Sequence, residues 1–209
     1  MHRIVHHERP VARMDMKLLA WGLRRKPGRV PRLWLFTDDT RLPDPRASAS
    51  RLPRGRAGVV LRHDHDRNRA RLGRALARIC RQRRLLLVVA GDVRLAAALK
   101  AGVHLRAGRW PNPSRIAIHS GAVVTSSAHS IPDLLRARRA GADLVFLSPA
   151  FPTASHAGAA ALGPLRWAAM ARFAAPRSYV AALGGVDGGS VKRLPARFCA
   201  AVGAIGALS

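Results

Sequence analysis

Acidic residues, cysteine and long apolar runs are scarce in this 209-residue chain, and each scarcity closes off a class of protein. The two cysteines, Cys80 and Cys199, stand far apart with no CxxC spacing, and nothing before them reads as a secretory leader. That argues against a disulfide framework or a zinc site and makes a reduced, cytoplasmic setting the expectation. Apolar residues supply 48% of the sequence, yet Gly, Pro or Arg breaks every stretch well short of the roughly 20 residues a membrane helix needs. A soluble protein with no membrane span is expected.

Only 11 acidic residues oppose 37 basic ones, giving a formal charge of +26. Such a field attracts polyanions whatever the protein's task. The basic residues are dispersed, however, and are overwhelmingly Arg, with Lys only at Lys17, Lys26, Lys100 and Lys192. The densest stretch, Arg67 to Arg84, also carries Leu72, Leu76 and Ile79 at helical spacing, the pattern of a solvated helix face. Nucleic-acid binding is therefore read as nonspecific attraction. Nothing in the residues chooses between a monomer and a homo-oligomer.

The length suits one domain. Residues 1–31 are basic and aperiodic, with Met14 and Met16 as alternative starts to Met1, and read as a loosely ordered extension. From residue 32 to 209, short apolar runs recur at Leu33–Thr37, Gly58–Arg62, Leu85–Ala90, Gly102–Leu105, Ala122–Ser126, Asp143–Leu147, Tyr179–Leu183 and Ala200–Ile205. Amphipathic stretches lie between several of them: Arg69–Arg81, Val93–Ala101, Ile131–Ala140 and Pro164–Ala174. Ser130-Ile131-Pro132 has the form of a helix start. This alternation predicts βαβ units and a parallel sheet, and the repeats favour a small closed (β/α)₈ barrel with some helices short or absent. Trp110-Pro111-Asn112-Pro113 leaves little room for a helix, and residues 115–119 could form a strand of their own.

In such barrels ligands sit beyond the carboxyl ends of the strands. Asp143–Leu147 empties into Ser148-Pro149-Ala150-Phe151-Pro152-Thr153, with Ser155 and His156 following, a loop of small, hydroxyl-bearing and titratable residues suited to a phosphorylated ligand. Gly184-Gly185 and Ile205-Gly206 close the last two strands, where backbone N–H groups can cradle phosphate; the plainer alternative is a pair of tight turns. Arg62 ends the second strand, where a guanidinium can clamp an anion through two donors. His63, Asp64, His65 and Asp66 diverge along the chain and are read as turn residues, with no metal assigned. Ser126, Ser127, His129 and Ser130 close the fifth strand; His129 can move a proton or brace the following helix.

Leu35-Phe36-Thr37-Asp38, Val60-Leu61-Arg62, Gly102-Val103-His104-Leu105, Ser127-Ala128-His129-Ser130, Ala140-Gly141-Ala142-Asp143, Ser148 to Thr153 and Ala182-Leu183-Gly184-Gly185-Val186 occur in an order that resembles the thiamine-phosphate synthase and thiazole tautomerase superfamily. The resemblance implies a small TIM barrel that joins an aminopyrimidine diphosphate to a thiazole phosphate with loss of pyrophosphate, assisted by Mg²⁺. It implies that Arg62, Ser127, Thr153 and Ser155 contact the pyrimidine diphosphate, while Gly184, Gly185, Ile205 and Gly206 hold the thiazole phosphate. His156 stands where the family has a loop lysine and shares the catalytic role with Arg62 and Ser127.

The family's Asn-Asp pair falls on Ala90 and Gly91 and its second metal-binding Asp falls near Arg109, so Mg²⁺ is implied by the family but both of its carboxylate ligands are lost. Asp92 is one residue away, and Arg109 could replace the ion's charge. Pro149 replaces the His of the tautomerase branch. Two alternatives stand beside the synthase reading: a catalytically reduced barrel that binds a phosphorylated heterocycle, and an Arg-rich nucleic-acid or anion binder.

Overall fold

A computed structural model describes residues 14–24, 28–110, 119–153, 160–174 and 178–209. Eight parallel strands pair in chain order and close into a barrel. They are β1 (Leu33–Phe36), β2 (Ala57–Leu61), β3 (Leu86–Ala90), β4 (Gly102–Leu105), β5 (Val124–Ala128), β6 (Leu144–Leu147), β7 (Tyr179–Leu183) and β8 (Ala201–Ala204). Closure is made by β1 against β8, with Leu33 opposite Val202 and Leu35 opposite Ala204.

The strands read as continuous apolar runs because both of their faces are covered. Side chains alternate, so Leu33, Leu35, Val59 and Leu61 join the layer beneath the helices while Trp34, Phe36, Val60 and Val88 fill the barrel. Phe146 meets Trp34 and Phe36 edge to face, at ring-centroid distances of 5.7 and 4.8 Å. The absent side chain of Gly58 makes room for them: a Cβ there would lie 2.4 Å from the Trp34 ring. Large and small residues thus divide the interior.

The surrounding helices are α1 (Met16–Leu23), α2 (Arg46–Arg51), α3 (Arg69–Arg83), α4 (Val93–Leu99), α5 (Ile131–Arg139) and α6 (Gly163–Ala171). Ser130 caps α5, its Oγ accepting from the Asp133 N–H at 3.3 Å. Between β4 and β5 the described residues contain no helix, and residues 111–118 of that connection lie outside the description.

Three elements differ from the sequence reading. Part of the segment expected to be loosely ordered is α1. Asp15 caps it by accepting from the N–H groups of Lys17 and Leu18, and its other oxygen accepts from Gly188 N–H at 2.7 Å. Leu18 is fully buried, and Gly22 lies so close to Leu33 that a Cβ would be 2.3 Å from Cγ. The helix therefore packs on the barrel between the β7 end and β1; residues 1–13 lie outside the description. α2 was not anticipated, since its sequence carries no apolar stripe. β5 runs two residues later than the expected 122–126, drawing Ser127 and Ala128 into the strand.

Candidate active site

The carboxyl ends of the strands open onto one mouth with two lobes that share Phe36, Arg62, Ser148 and Leu183. The narrower lobe, with a cavity volume of about 180 Å³, is walled by Thr153, Gly184, Gly185, Ile205 and Gly206. The wider, of about 470 Å³, is walled by Asp38, Asp64, Arg106, Ser127 and His129. The wider lobe alone is of the size that holds a small organic ligand.

In the narrower lobe, Gly184 and Gly185 both have positive φ, +86° and +64°, a pairing that glycine adopts without steric cost. This turn is tied to the loop after β6: Ala150 N–H donates to Leu183 O at 2.8 Å and Phe151 N–H to Gly184 O at 3.0 Å. Among the described residues, the N–H groups of Gly185 and Val186 make no backbone hydrogen bond. Backbone N–H groups at such a turn are the kind of donors an anion requires.

The wider lobe is built from charge pairs. Arg62 follows β2, and its backbone N–H donates to Thr37 Oγ1 at 2.9 Å. Thr37 Oγ1 lies 2.8 Å from His63 Nδ1, and His63 Nε2 lies 3.2 Å from Pro43 O. Buried His63 thus braces the base of Arg62. The Arg62 guanidinium donates to Asp38 Oδ2 at 2.6 Å, and Arg41 donates to the same oxygen at 3.0 Å. Partial burial works to raise the Asp38 carboxyl, but the hydrogen bonds and charge of Arg41, joined by Arg62, outweigh it and hold Asp38 well below the usual carboxylate range. Asp64 lies 2.6 Å from Arg106 and 3.5 Å from Arg69.

His104 forms part of the lobe's floor, with Nδ1 at 2.9 Å from Thr125 Oγ1. Burial, then the fields of Arg62 and Arg106, push it down to about 3. It is a neutral group beneath two cations.

The structure brings Arg62, Ser127, Thr153, Gly184, Gly185, Ile205, Gly206 and His129 to this mouth. Ser127 Oγ accepts from Ala107 N–H at 3.1 Å, and His129 Nδ1 lies 3.1 Å from Ser148 O. Ser155 and His156 lie outside the described residues. Asp92 lines neither lobe; it caps α4 through Leu95 N–H at 2.9 Å. Arg109 is exposed and also lines neither lobe. The sequence reading missed Arg106 and the Arg41–Asp38 pair. Arg106 directly follows β4, the same positional signal that marks Arg62 after β2.

Mg²⁺ does not fit the residues present. Of the carboxylates lining the wider lobe, Asp38 and Asp64 each lie against two guanidinium groups, while Asp39 accepts from His65 N–H at 3.2 Å and from Thr40 Oγ1 at 3.4 Å. Among the described residues no three His, Cys, Asp or Glu side chains gather as a metal site. Mg²⁺ is commonly held by one or two carboxylates together with substrate phosphates, and two of the three carboxylates lining this lobe, Asp38 and Asp64, already face guanidinium groups, so the fit is poor.

The family model for thiamine monophosphate synthase matches residues 36–208. The thiamine-phosphate synthase of Chlorobium luteolum is 32% identical over 185 residues, covering 86% of this chain and 85% of that protein. The putative thiamine-phosphate synthase 2 of Aquifex aeolicus is 30% identical over 139 residues, 64% of this chain and 75% of that one. A thiamine biosynthesis bifunctional protein of Geobacter sulfurreducens is 32% identical over 126 residues, 59% of this chain, which spans only 26% of that longer protein. Among solved structures, a thiamine phosphate pyrophosphorylase from Pyrococcus furiosus superposes with a TM-score of 0.66 at 21% identity, covering 83% of this chain and 85% of that one. FabK from Thermotoga maritima gives 0.64 at 18% identity, over 85% and 58% of the two chains. At such identities the superpositions establish the barrel fold alone.

Proposed function

The chain belongs to the thiamine monophosphate synthase family, and from that membership we propose that it joins an aminopyrimidine diphosphate to a thiazole phosphate in thiamine biosynthesis. The observation that supports this most is the single mouth in which an amide-walled lobe and a guanidinium-walled lobe share Arg62 and the apolar surface of Phe36 and Leu183. Two anionic ends with flat rings between them match that arrangement. The thiazole phosphate takes the Gly184-Gly185 wall, and the diphosphate takes the side of Arg62.

The reaction breaks the bond between the pyrimidine methylene carbon and the diphosphate oxygen, whose electron pair leaves with pyrophosphate. The thiazole nitrogen lone pair forms the new carbon–nitrogen bond, and the positive charge passes to the thiazolium. What this chain's residues contribute is placement and charge. Arg62, braced by Asp38 and Thr37, neutralises the departing oxygen anions, and a fixed donor costs no reorganisation as that charge develops. Phe36 and Leu183 cover the reacting face and keep water from the carbocation-like pyrimidine.

A second reading is favoured by the poor fit for Mg²⁺: a barrel that binds a phosphorylated heterocycle without completing the transfer. Incubation of purified protein with both phosphorylated substrates, with and without Mg²⁺, separates the two. The proposal expects thiamine phosphate and pyrophosphate in equal amounts, falling at least tenfold in Arg62→Gln. Binding of the thiazole phosphate with no product under either condition would leave only the second reading.

A further inference from the structure

We propose that the guanidinium of Arg106, seated over Gly91, is the principal diphosphate-binding cation of the wider lobe and makes recognition there independent of a divalent ion. This rests on the reading above that the mouth takes a diphosphate. It adds the source of the charge.

Gly91 follows β3 with φ +66°, and a Cβ at that position would lie 3.0 Å from Arg106 Nε and 3.2 Å from Nη2. The guanidinium thus occupies the space into which any side chain at 91 would project. Gly91 is held beneath it by a hydrogen bond from its N–H to His104 O at 3.1 Å. A carboxylate cannot enter here without displacing Arg106.

The turn that carries Arg106 is fixed on every side. Ala107 N–H donates to Ser127 Oγ at 3.1 Å, and Gly108 N–H donates to Ser126 Oγ at 2.9 Å. Arg136 Nε donates to Ala107 O at 3.1 Å, and Arg109 N–H closes the turn on Arg106 O at 3.0 Å. Gly108 sits so tightly on α5 that a Cβ would come within 2.4 Å of Ala137 N. Two serines and an arginine therefore position one exposed cation.

Asp64 aims that cation through the 2.6 Å contact with Nη2. Its neighbour Arg69 has the contrary fate: its side chain is only 17% exposed, and it donates to Ala90 O within the wall. Arg106 is 58% exposed. A guanidinium has five N–H donors, and the Asp64 contact engages one nitrogen, leaving donors in fork geometry for phosphate oxygens. Arg62 lines the same lobe, and the fields of both cations reach His104 beneath them, so they converge above one floor. Asp38 and Asp39 also face the lobe and temper its charge.

The test is calorimetric titration of inorganic pyrophosphate into the full chain in excess EDTA, repeated with Mg²⁺, for wild type, Arg106→Gln, Arg106→Lys and Arg109→Gln. Expected is binding in EDTA that Mg²⁺ strengthens no more than about twofold, at least tenfold weaker in Arg106→Gln, partly recovered in Arg106→Lys and unchanged in Arg109→Gln. Partial recovery follows because lysine keeps the charge and loses the fork. Denaturant midpoints of the variants, expected to match wild type at so exposed a position, separate lost contact from lost fold. Binding that requires Mg²⁺ overturns the proposal. So does equal weakening by Arg106→Gln and Arg109→Gln, which would indicate net charge alone. If pyrophosphate affinity is unchanged in Arg106→Gln while inorganic phosphate still binds, the Arg106 assignment falls and the functional reading stands. If wild type binds neither anion, both fall.

Discussion

Replacing Gly185 with alanine isolates how much of the narrower lobe depends on close backbone approach. A Cβ at 185 would stand 2.3 Å from Pro152 O and 2.8 Å from Phe151 C and Cβ. Contacts that short cannot be relieved by rotating a flexible side chain, because the first two atoms are backbone. Residues 151–153 must therefore move, taking with them the 3.0 Å bond from Phe151 N–H to Gly184 O and the position of Thr153. Gly55 supplies the control: its φ of +66° matches the +64° of Gly185, and nothing lies within 4 Å of its Cβ position. Gly55→Ala should cost only the left-handed strain of an L-residue, about 1–2 kcal/mol. Gly185→Ala should cost that plus the displaced loop and its hydrogen bonds, about 2 kcal/mol further. Urea unfolding gives the two stabilities, and titration with inorganic phosphate gives the lobe's function. The reasoning is refuted if the two variants lose equal stability, or if Gly185→Ala binds phosphate as wild type does.

Asp15→Ala should destabilise the chain by about 1–2 kcal/mol, since it removes the cap of α1 and the acceptor for Gly188 N–H; thermal unfolding measures this, and a shift no larger than that of Asp66→Ala would count against it. His104 gives a pH signature. Its folded value of about 3 lies below the ordinary 6.5, so the unfolded chain binds more protons as pH falls from 6.5. Stability is therefore fully present above that value and declines toward pH 3, by up to about 1.4 kcal/mol per pH unit. Urea midpoints between pH 7.5 and 4.5 should show a slope that is shallower in His104→Gln; parallel slopes would contradict the assignment.

The barrel was legible because a strand buried on both faces must be apolar along its whole length, and runs such as Leu33–Phe36 and Leu144–Leu147 have few other uses. β5 was harder to bound. Ser127 looks like a loop residue, but its hydroxyl oxygen accepts from Ala107 N–H in the turn after β4, as that of Ser126 does from Gly108, which satisfies both inside the strand. α1 was illegible for a related reason: a short helix on a basic segment is held by Leu33 and Gly188, partners outside the helix and, for Gly188, at the far end of the chain.

At the mouth, position after a strand marked Arg62, Gly184 and Gly185. Arg106 carries the same positional signal after β4, but in a chain so rich in arginine that signal is weak, and its seat over Gly91 is what sets it apart. The charge pairing of Asp38 and Asp64 also needed coordinates, since their partners come from separate loops.

The central claim is that one mouth receives two phosphorylated molecules at opposite walls. A crystal structure of the protein with thiamine phosphate and pyrophosphate tests it most directly. The account expects the ester phosphate against Gly184 and Gly185, pyrophosphate against Arg62 and Arg106, and the rings over Phe36 and Leu183. Both anions in one lobe, or either bound away from the barrel mouth, would contradict it.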